Sequence, residues 1–147
     1  MSLNFKSIQK ILVATDGSSS SMRAAEYAIG VAKMLNAQIK VIYVIDEIVL
    51  EQVSKVAERE NVEKELQEDG RRSTNYVVGL AEKEGIKADS LIAKGRPFEQ
   101  IVHSAKELNM GLIVMGTYGR KGAERILIGS VAERVIEYSP CPVLVVK

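Results

Sequence analysis

The segment with the clearest chemical potential is residues 112–131, where a short apolar run leads into a glycine-rich loop and then a helical pattern. Four glycines mark the loop and its ends: Gly116, Gly119, Gly122 and Gly129. Glycine lets the backbone approach an anion closely, and a helix start offers unpaired amides and the positive end of a dipole. The loop also carries Arg120 and Lys121, beside Thr117. The segment therefore predicts a phosphate site, with Thr117 and Arg120 as further contacts.

The same residues also admit a purely structural interpretation. Ser130 and Glu133 have the S-x-x-E spacing of a capping box, so Gly129 and Ser130 could simply begin a helix. Gly116 could be an ordinary turn after a strand. The elements around the loop must decide between the two interpretations.

Composition restricts the class of protein. A chain of 147 residues with 46% hydrophobic and 27% charged residues predicts one globular domain over residues 1–147. The net charge of +1 gives no reason to expect nucleic acid or an anionic membrane as a partner. The lack of a long apolar run predicts no membrane span, and the polar first ten residues lack a signal-peptide core. One Cys and one His disfavour a disulfide or a zinc site, and we predict a cytoplasmic protein.

Apolar runs alternate with helical patterns along the chain. The predicted strands are 8–14, 38–45, 86–94, 112–115 and 143–146, and the predicted helices are 18–35, 62–83, 97–108 and 130–138. Residues 48–60 are interpreted as a flexible or partly helical connection. Gly70 is predicted to weaken its helix, by about 1 kcal/mol relative to Ala. This alternation predicts a doubly wound α/β fold, with a parallel sheet covered by helices on both faces.

Polar residues follow the predicted strands where such folds bind ligands, outside the carboxyl ends and at the switch point of strand order. Thr15 and Asp16 follow the first strand, Asp46 ends the second, and the glycine loop follows the fourth. If the first and fourth strands are neighbours, Asp16 faces the loop. An acid opposite an anion-binding loop suits a nucleotide, with its sugar hydroxyls and its phosphates. Neither a P-loop nor a G-x-G-x-x-G motif after the first strand is present.

Three stretches resemble the universal stress protein family. Residues 11–18, Ile-Leu-Val-Ala-Thr-Asp-Gly-Ser, match its first strand and turn. The spacing Gly116-x-x-Gly119, nine residues, Gly129-Ser130 matches the motif of its ATP-binding branch. Residues 139–147, Ser-Pro-Cys-Pro-Val-Leu-Val-Val-Lys, match its last strand. The resemblance covers the whole chain, and residues 48–70 are its least diagnostic part.

The resemblance implies a five-stranded sheet in the order 3-2-1-4-5, with ATP (or ADP or AMP) between the ends of strands one and four. Asp16, beside Thr15, would hold the ribose–adenine end, and the backbone of Val44 would meet adenine. Met115 and Gly116 would border the nucleoside. Backbone amides and a hydroxyl would bind the phosphates, from Gly119, Gly129, Ser130 and Val131. The resemblance also implies Mg²⁺ on the phosphates and a homodimer through Val143–Val146, a pairing that would cover an apolar edge strand.

Three functions remain open at this point. The first is an ATP-binding regulatory protein of the stress response, a switch with little or no turnover that is read by an unknown protein partner. The second is a slow ATPase or nucleotidyl-transfer enzyme, which has little support because Asp16 and Asp46 are the only acids near the crevice and hydrolysis needs a positioned water. Asp46 could instead contact a metal ion or the sugar. The third is a structural dimer without nucleotide. His103 and Cys141 are interpreted as a surface residue and a strand-entry residue.

Overall fold

The computed structural model describes residues 8–117 and 128–147, and within them five parallel strands form one sheet. The strands are β1 (Lys10–Ala14), β2 (Gln38–Asp46), β3 (Ala88–Gly95), β4 (Leu112–Gly116) and β5 (Val143–Val146). Their order is β3-β2-β1-β4-β5, with every neighbouring pair parallel. The predicted fold class and strand order are confirmed.

Helices cover both faces of this sheet. They are α1 (Ser19–Leu35), α2 (Glu47–Glu51), α3 (Val56–Lys83), α4 (Pro97–Glu107) and α5 (Ser130–Tyr138). Because successive strand residues point to opposite faces, Ile11 and Val13 pack with α1 and α3, whereas Leu12 packs with α4 and α5. All three side chains are fully buried. No helix in the described part of the chain is long and apolar enough to cross a membrane.

The connection after β2 is more helical than predicted. Asp46 caps the short helix α2, because its Oδ1 accepts a hydrogen bond from the amide of Ile48 at 3.0 Å. Helix α3 begins at Val56 and not at Val62, so of the two alternatives for residues 48–60 the partly helical one is confirmed, with residues 52–55 outside the helices. Arg59 holds that turn by donating from Nη2 to the carbonyl of Val53 at 2.9 Å. The first turns of α3 are mostly exposed, which explains why apolar periodicity did not reveal them.

Strand β3 also begins later than predicted, at Ala88 rather than Ile86. The amide of Ile86 donates to the carbonyl of Ala81 at 3.0 Å and so closes the end of α3. The side chain of Ile86 is only 6% exposed. The residue that the sequence predicts as the start of a strand is therefore a buried residue at the end of a helix.

Gly70 has a packing role that the sequence did not reveal. A Cβ built on Gly70 would lie 2.6 Å from Cδ1 of Tyr43, a buried residue of β2. The absence of a side chain therefore lets α3 approach the sheet at this point. The predicted cost in helix propensity at Gly70 is therefore accompanied by a packing requirement that the sequence analysis did not foresee.

The two edge strands differ in chemistry. On the β3 side, Lys40 and Asp89 form an ion pair at 3.0 Å, and Lys94 and Glu63 form another at 2.6 Å. The hydrogen bond from Lys94 to Glu63 raises the pKa of Lys94. Strand β5, by contrast, consists of Val143, Leu144, Val145 and Val146, of which the first three are only half-buried.

A pair of substitutions in α3 tests the close approach at Gly70. Gly79 lies in the same helix, and a Cβ built there meets nothing within 4 Å. Both Gly→Ala changes improve helix propensity, by about 1 kcal/mol, but only Gly70→Ala inserts a methyl group against Tyr43. We expect Gly70→Ala to be less stable than Gly79→Ala by about 1–3 kcal/mol, measured by urea denaturation. Equal stabilisation of both variants would show that Tyr43 does not confine this position.

Candidate ligand-binding site

The switch point of strand order, where folds of this class have their binding crevice, lies between the carboxyl ends of β1 and β4. The two strands pair from Ile11 with Leu112 to Val13 with Val114 and then take different partners. The amide of Thr15 donates to the carbonyl of Ile42 on β2 at 3.0 Å. The amide of Thr117 donates to the carbonyl of Val146 on β5 at 3.1 Å. The chain beyond β1 therefore follows β2 and the chain beyond β4 follows β5, as expected at a switch point.

The turn after β1 holds Asp16 in a defined position on one side of this crevice. The carboxylate Oδ1 of Asp16 accepts from the amide of Ser18 at 2.9 Å, which forms an Asx turn. Ser18 in turn caps α1, because its hydroxyl accepts from the amide of Ser21 at 3.2 Å. Gly17 lies between them with a φ of 83°, a conformation that favours glycine. Thr15 is buried, and its hydroxyl is engaged inside the turn.

On the other side, β4 ends in close contact with the first turn of α1. A Cβ built on Gly116 would lie 3.0 Å from both the carbonyl carbon and the carbonyl oxygen of Ser20. Backbone atoms cannot rotate away as the end of a flexible side chain can, so any other residue at 116 would displace α1 from the strand. Gly116 is therefore required for packing as well as being a candidate contact.

Two buried hydroxyls at this end of β4 have no hydrogen-bond partner in the described part of the chain. They are Oγ of Ser20 and Oγ1 of Thr117. Thr117 is 8% exposed and follows directly after the strand. A buried polar group without a partner costs about 1–3 kcal/mol, so such groups point to a site that a further molecule completes.

A backbone hydrogen bond brings the start of α5 to the end of β4. The amide of Gly129 donates to the carbonyl of Thr117 at 2.5 Å, although the two residues lie far apart in sequence. Gly129 is the N-cap of α5 and Ser130 is its first residue, with no side-chain hydrogen bond capping the helix. The capping box that the sequence allowed at Ser130 is therefore not formed, whereas the predicted start of the helix at Ser130 is confirmed. The exposed Ser130 hydroxyl and the first-turn amides, which lack partners inside the helix, lie next to Thr117.

Apolar side chains form a floor on the α4–α5 side of the crevice. Met115 is 5% exposed and belongs to the cluster that also contains Val44 and Ala14. Val131, half-buried at the start of α5, packs against the same cluster. The structure thus brings candidates from three strands and one helix to this end of the sheet. Gly119 and Arg120, the other predicted contacts, lie outside the described residues.

The remaining candidates have other surroundings. Asp46 serves as the N-cap of α2, and His103 is exposed on α4. Burial raises the pKa of the Cys141 thiol, which disfavours the nucleophilic thiolate form. Among residues 8–117 and 128–147, no cluster of three or more His, Cys, Asp or Glu side chains is placed to hold a metal ion.

The sequence model of the Universal stress protein family matches residues 7–147. The chain belongs to this family. A universal stress protein of Methanocaldococcus jannaschii, MJ0531, is 42% identical over 139 residues, which cover 95% of this chain and 82% of that relative. The Bacillus subtilis universal stress protein YxiE is 32% identical over 145 residues, covering 94% of this chain and 98% of that protein.

Solved structures of relatives share the fold. The structure of M. jannaschii MJ0577 aligns with a TM-score of 0.85 at 31% identity and covers 95% of this universal stress protein and 96% of that chain. A universal stress protein solved in complex with cAMP aligns with a TM-score of 0.70 at 25% identity, covering 95% and 96%. A member of the family with this fold therefore binds an adenine nucleotide.

Two residues that sequence reasoning missed lie beside the crevice. The sequence analysis predicts only that a helix begins at residue 18, whereas in the structure Ser20 packs against Gly116 and Ser21 contacts Thr15. Helix periodicity places residues 20 and 21 within one turn of the N-cap, but it does not reveal which strand ends they meet.

Proposed function

We propose that this protein binds ATP in the crevice between β1 and β4 and acts as a nucleotide-dependent regulatory protein with little or no turnover. One observation carries the proposal. The bond from Gly129 to Thr117 places a buried hydroxyl without a partner beside the uncapped start of α5. These residues belong to the spacing that matches the ATP-binding branch of the family.

The phosphate end of the ligand would lie at this junction. The first-turn amides of α5, at Ser130 and Val131, supply donors and the positive end of the helix dipole. The hydroxyl of Ser130 is exposed and available to an oxygen ligand, and the hydroxyl of Thr117 would gain the partner that it lacks. We assign Gly119 and Arg120 to the same phosphates by their place in the motif. Mg²⁺ would be held through phosphate oxygens.

The nucleoside end would lie over the apolar floor. Met115 and Val44 offer apolar surface near the strand ends, which suits the face of an adenine ring. Asp16, fixed by its Asx turn, offers a carboxylate that can accept hydrogen bonds from ribose hydroxyls. This order keeps the acidic group away from the phosphates and the amides close to them.

The proposed regulatory role follows from the elements that the bound phosphates would connect, which are β4 and α5. The amide of Thr117 donates to Val146 of β5, and its carbonyl accepts from Gly129, the N-cap of α5, so a ligand held here would connect β4 with α5. Nucleotide occupancy would stabilise one arrangement of this surface, which a protein partner could read.

Release of bound nucleotide from the purified protein is the direct test. We expect heat denaturation followed by ion-exchange chromatography at 260 nm to yield about one equivalent of ATP. ADP or AMP in its place would leave hydrolysis open, which a steady-state ATPase assay with Asp16→Ala and Asp46→Ala as controls would decide. An empty protein whose melting temperature does not change with Mg-ATP would overturn the binding proposal.

Thr117→Val separates the ligand role of this hydroxyl from a structural one. Without nucleotide, the variant should be as stable as the wild type or more stable, because it removes a buried polar group that lacks a partner. Its affinity for ATP should fall about three- to tenfold, as expected for the loss of one hydrogen bond. Isothermal titration calorimetry measures the affinity, and urea denaturation measures the stability.

Thr74→Val is the matched control. Thr74 is fully buried in α3, and its hydroxyl donates to the carbonyl of Arg71 at 3.2 Å, within the same helix. Its substitution should leave the affinity for ATP unchanged. Loss of stability in Thr117→Val with unchanged affinity would assign that hydroxyl to the fold alone.

We also propose that the protein forms a homodimer through β5. This edge strand is short and entirely apolar, and an unpaired apolar edge invites pairing with another strand. The neighbouring helix α5 exposes Ile136 and Tyr138, at 48% and 54%, which adds apolar surface beside the strand.

Ile136→Lys tests this interface. The side chain is exposed in a single copy, so the change should leave monomer stability nearly unchanged while placing a charge in the proposed contact. We expect the variant to sediment as a monomer at concentrations where the wild type is a dimer, measured by analytical ultracentrifugation. Val56→Lys, at a 67% exposed position at the start of α3, should remain dimeric. A dimer that survives Ile136→Lys would place the interface elsewhere.

A further inference from the structure

A continuous chain of hydrogen bonds runs through the turn after β1. The amide of Gly17 donates to Oγ1 of Thr15 at 3.2 Å. That oxygen lies 3.0 Å from Oγ of Ser21. Ser21 Oγ in turn donates to the carbonyl of Ser18 at 2.9 Å. Both hydroxyls are buried, with Thr15 at 5% and Ser21 at 4% exposure.

The direction of this chain follows from the hydrogens available. The Ser21 hydroxyl has one hydrogen, which goes to the carbonyl of Ser18. The Thr15 hydroxyl must therefore donate to Ser21, and its lone pair accepts from Gly17. Each hydroxyl donates once and accepts once, and successive bonds of this kind strengthen one another in a buried setting.

These bonds enclose Asp16 from both sides. The hydrogen bond from Gly17 to Thr15 joins the two neighbours of Asp16. The hydrogen bond from Ser21 ties α1 to the carbonyl of Ser18, and the amide of Ser18 holds the Asp16 carboxylate at 2.9 Å. Thr15 is itself fixed to β2 through its amide. Behind the turn, a Cβ built on Gly17 would lie 3.1 Å from Oγ of Ser73, so α3 closes that side.

We propose that Thr15 and Ser21 are positioning residues, which hold the Asp16 carboxylate at the angle needed to accept hydrogen bonds from the ribose hydroxyls of the ligand. Thr15 then acts through its buried hydroxyl and not by touching the nucleotide. The consequence for ligand binding rests on the proposed function, whereas the positioning itself does not.

Amide hydrogen exchange tests the positioning without any nucleotide. The amide of Ser18, bonded to Asp16, is touched by neither hydroxyl of the chain. We expect Thr15→Val and Ser21→Ala each to accelerate its exchange about tenfold in ¹⁵N NMR spectra. Thr15→Ser, which keeps the hydroxyl, should restore slow exchange. Wild-type exchange at Ser18 in both Thr15→Val and Ser21→Ala would overturn the inference.

Ligand selectivity tests the consequence. Calorimetry gives the ratio of the Kd for 2′,3′-dideoxy-ATP to the Kd for ATP, and this ratio reports recognition of the ribose hydroxyls. The ratio measured for Asp16→Asn is the reference for weakened recognition. We expect Thr15→Val and Ser21→Ala to lower the ratio about three- to tenfold, towards that of Asp16→Asn. Thr15→Ser should keep the wild-type ratio.

Ser104→Ala, which changes a buried serine on α4, is the control for general loss of stability and should also keep the wild-type ratio. A ratio lowered by Asp16→Asn but not by Thr15→Val or Ser21→Ala would overturn the inference while leaving the proposed function intact. A wild-type protein that binds neither nucleotide would overturn the proposed function, and Ser18 exchange would then decide the inference alone.

Discussion

The hydrogen bond between the Gly129 amide and the Thr117 carbonyl determines where the last part of the chain lies. It holds Gly129 against Thr117, so that α5 begins beside the carboxyl end of β4. From that start, α5 packs its buried Ala132 and Val135 against the α4 side of the sheet. It then delivers the chain to β5 in register with β4. Without this hydrogen bond, the first-turn amides of α5 would not be held beside the Thr117 hydroxyl.

Close approach of backbone segments governs the carboxyl end of the sheet as a whole. Because glycine has no side chain, the first turn of α1 packs closely against Gly116 of β4. In the same way α3 packs against Tyr43 of β2 at Gly70, and against the turn after β1 at Gly17. Protein interiors are closely packed, so a small displacement of one element is transmitted to its neighbours. The position of Asp16 thus depends on how α1 and α3 pack around the turn that carries it.

The sequence predicted most of the fold because strand and helix periods are strong signals here. The runs around Val13 and Val114 are continuous and apolar, as buried parallel strands are. The start of α3 was not predicted because its first turns are charged and exposed and so lack apolar periodicity. Ile86 was assigned to a strand because, in the sequence alone, a buried residue at a helix end cannot be distinguished from the first residue of a strand. The strand order came from the family resemblance, since alternation alone does not specify it.

The site was predictable in its residue types but not in its contacts. Glycine spacing located the strand end and the helix start, but the N-cap is Gly129 and not Ser130, because the bond to Thr117 fixes Gly129 outside the helix. No sequence pattern marks Ser21 as a partner of Thr15, since that contact depends on how α1 crosses the sheet. Packing details of this kind arise only when the elements are assembled.

The unequal edges of the sheet set a limit on assembly. A sheet with two apolar edges can add copies at both sides and extend without end into a fibre. Here the β3 side carries the charged pairs Lys40–Asp89 and Lys94–Glu63, and such charges oppose the approach of another strand. Of the two edges in the described part of the chain, the β5 edge is the one that suits pairing, and two identical edges that pair with each other leave no such edge for a third copy. In the proposed homodimer, growth along the sheet would therefore stop at two copies, and a chain with an apolar edge strand would not polymerise.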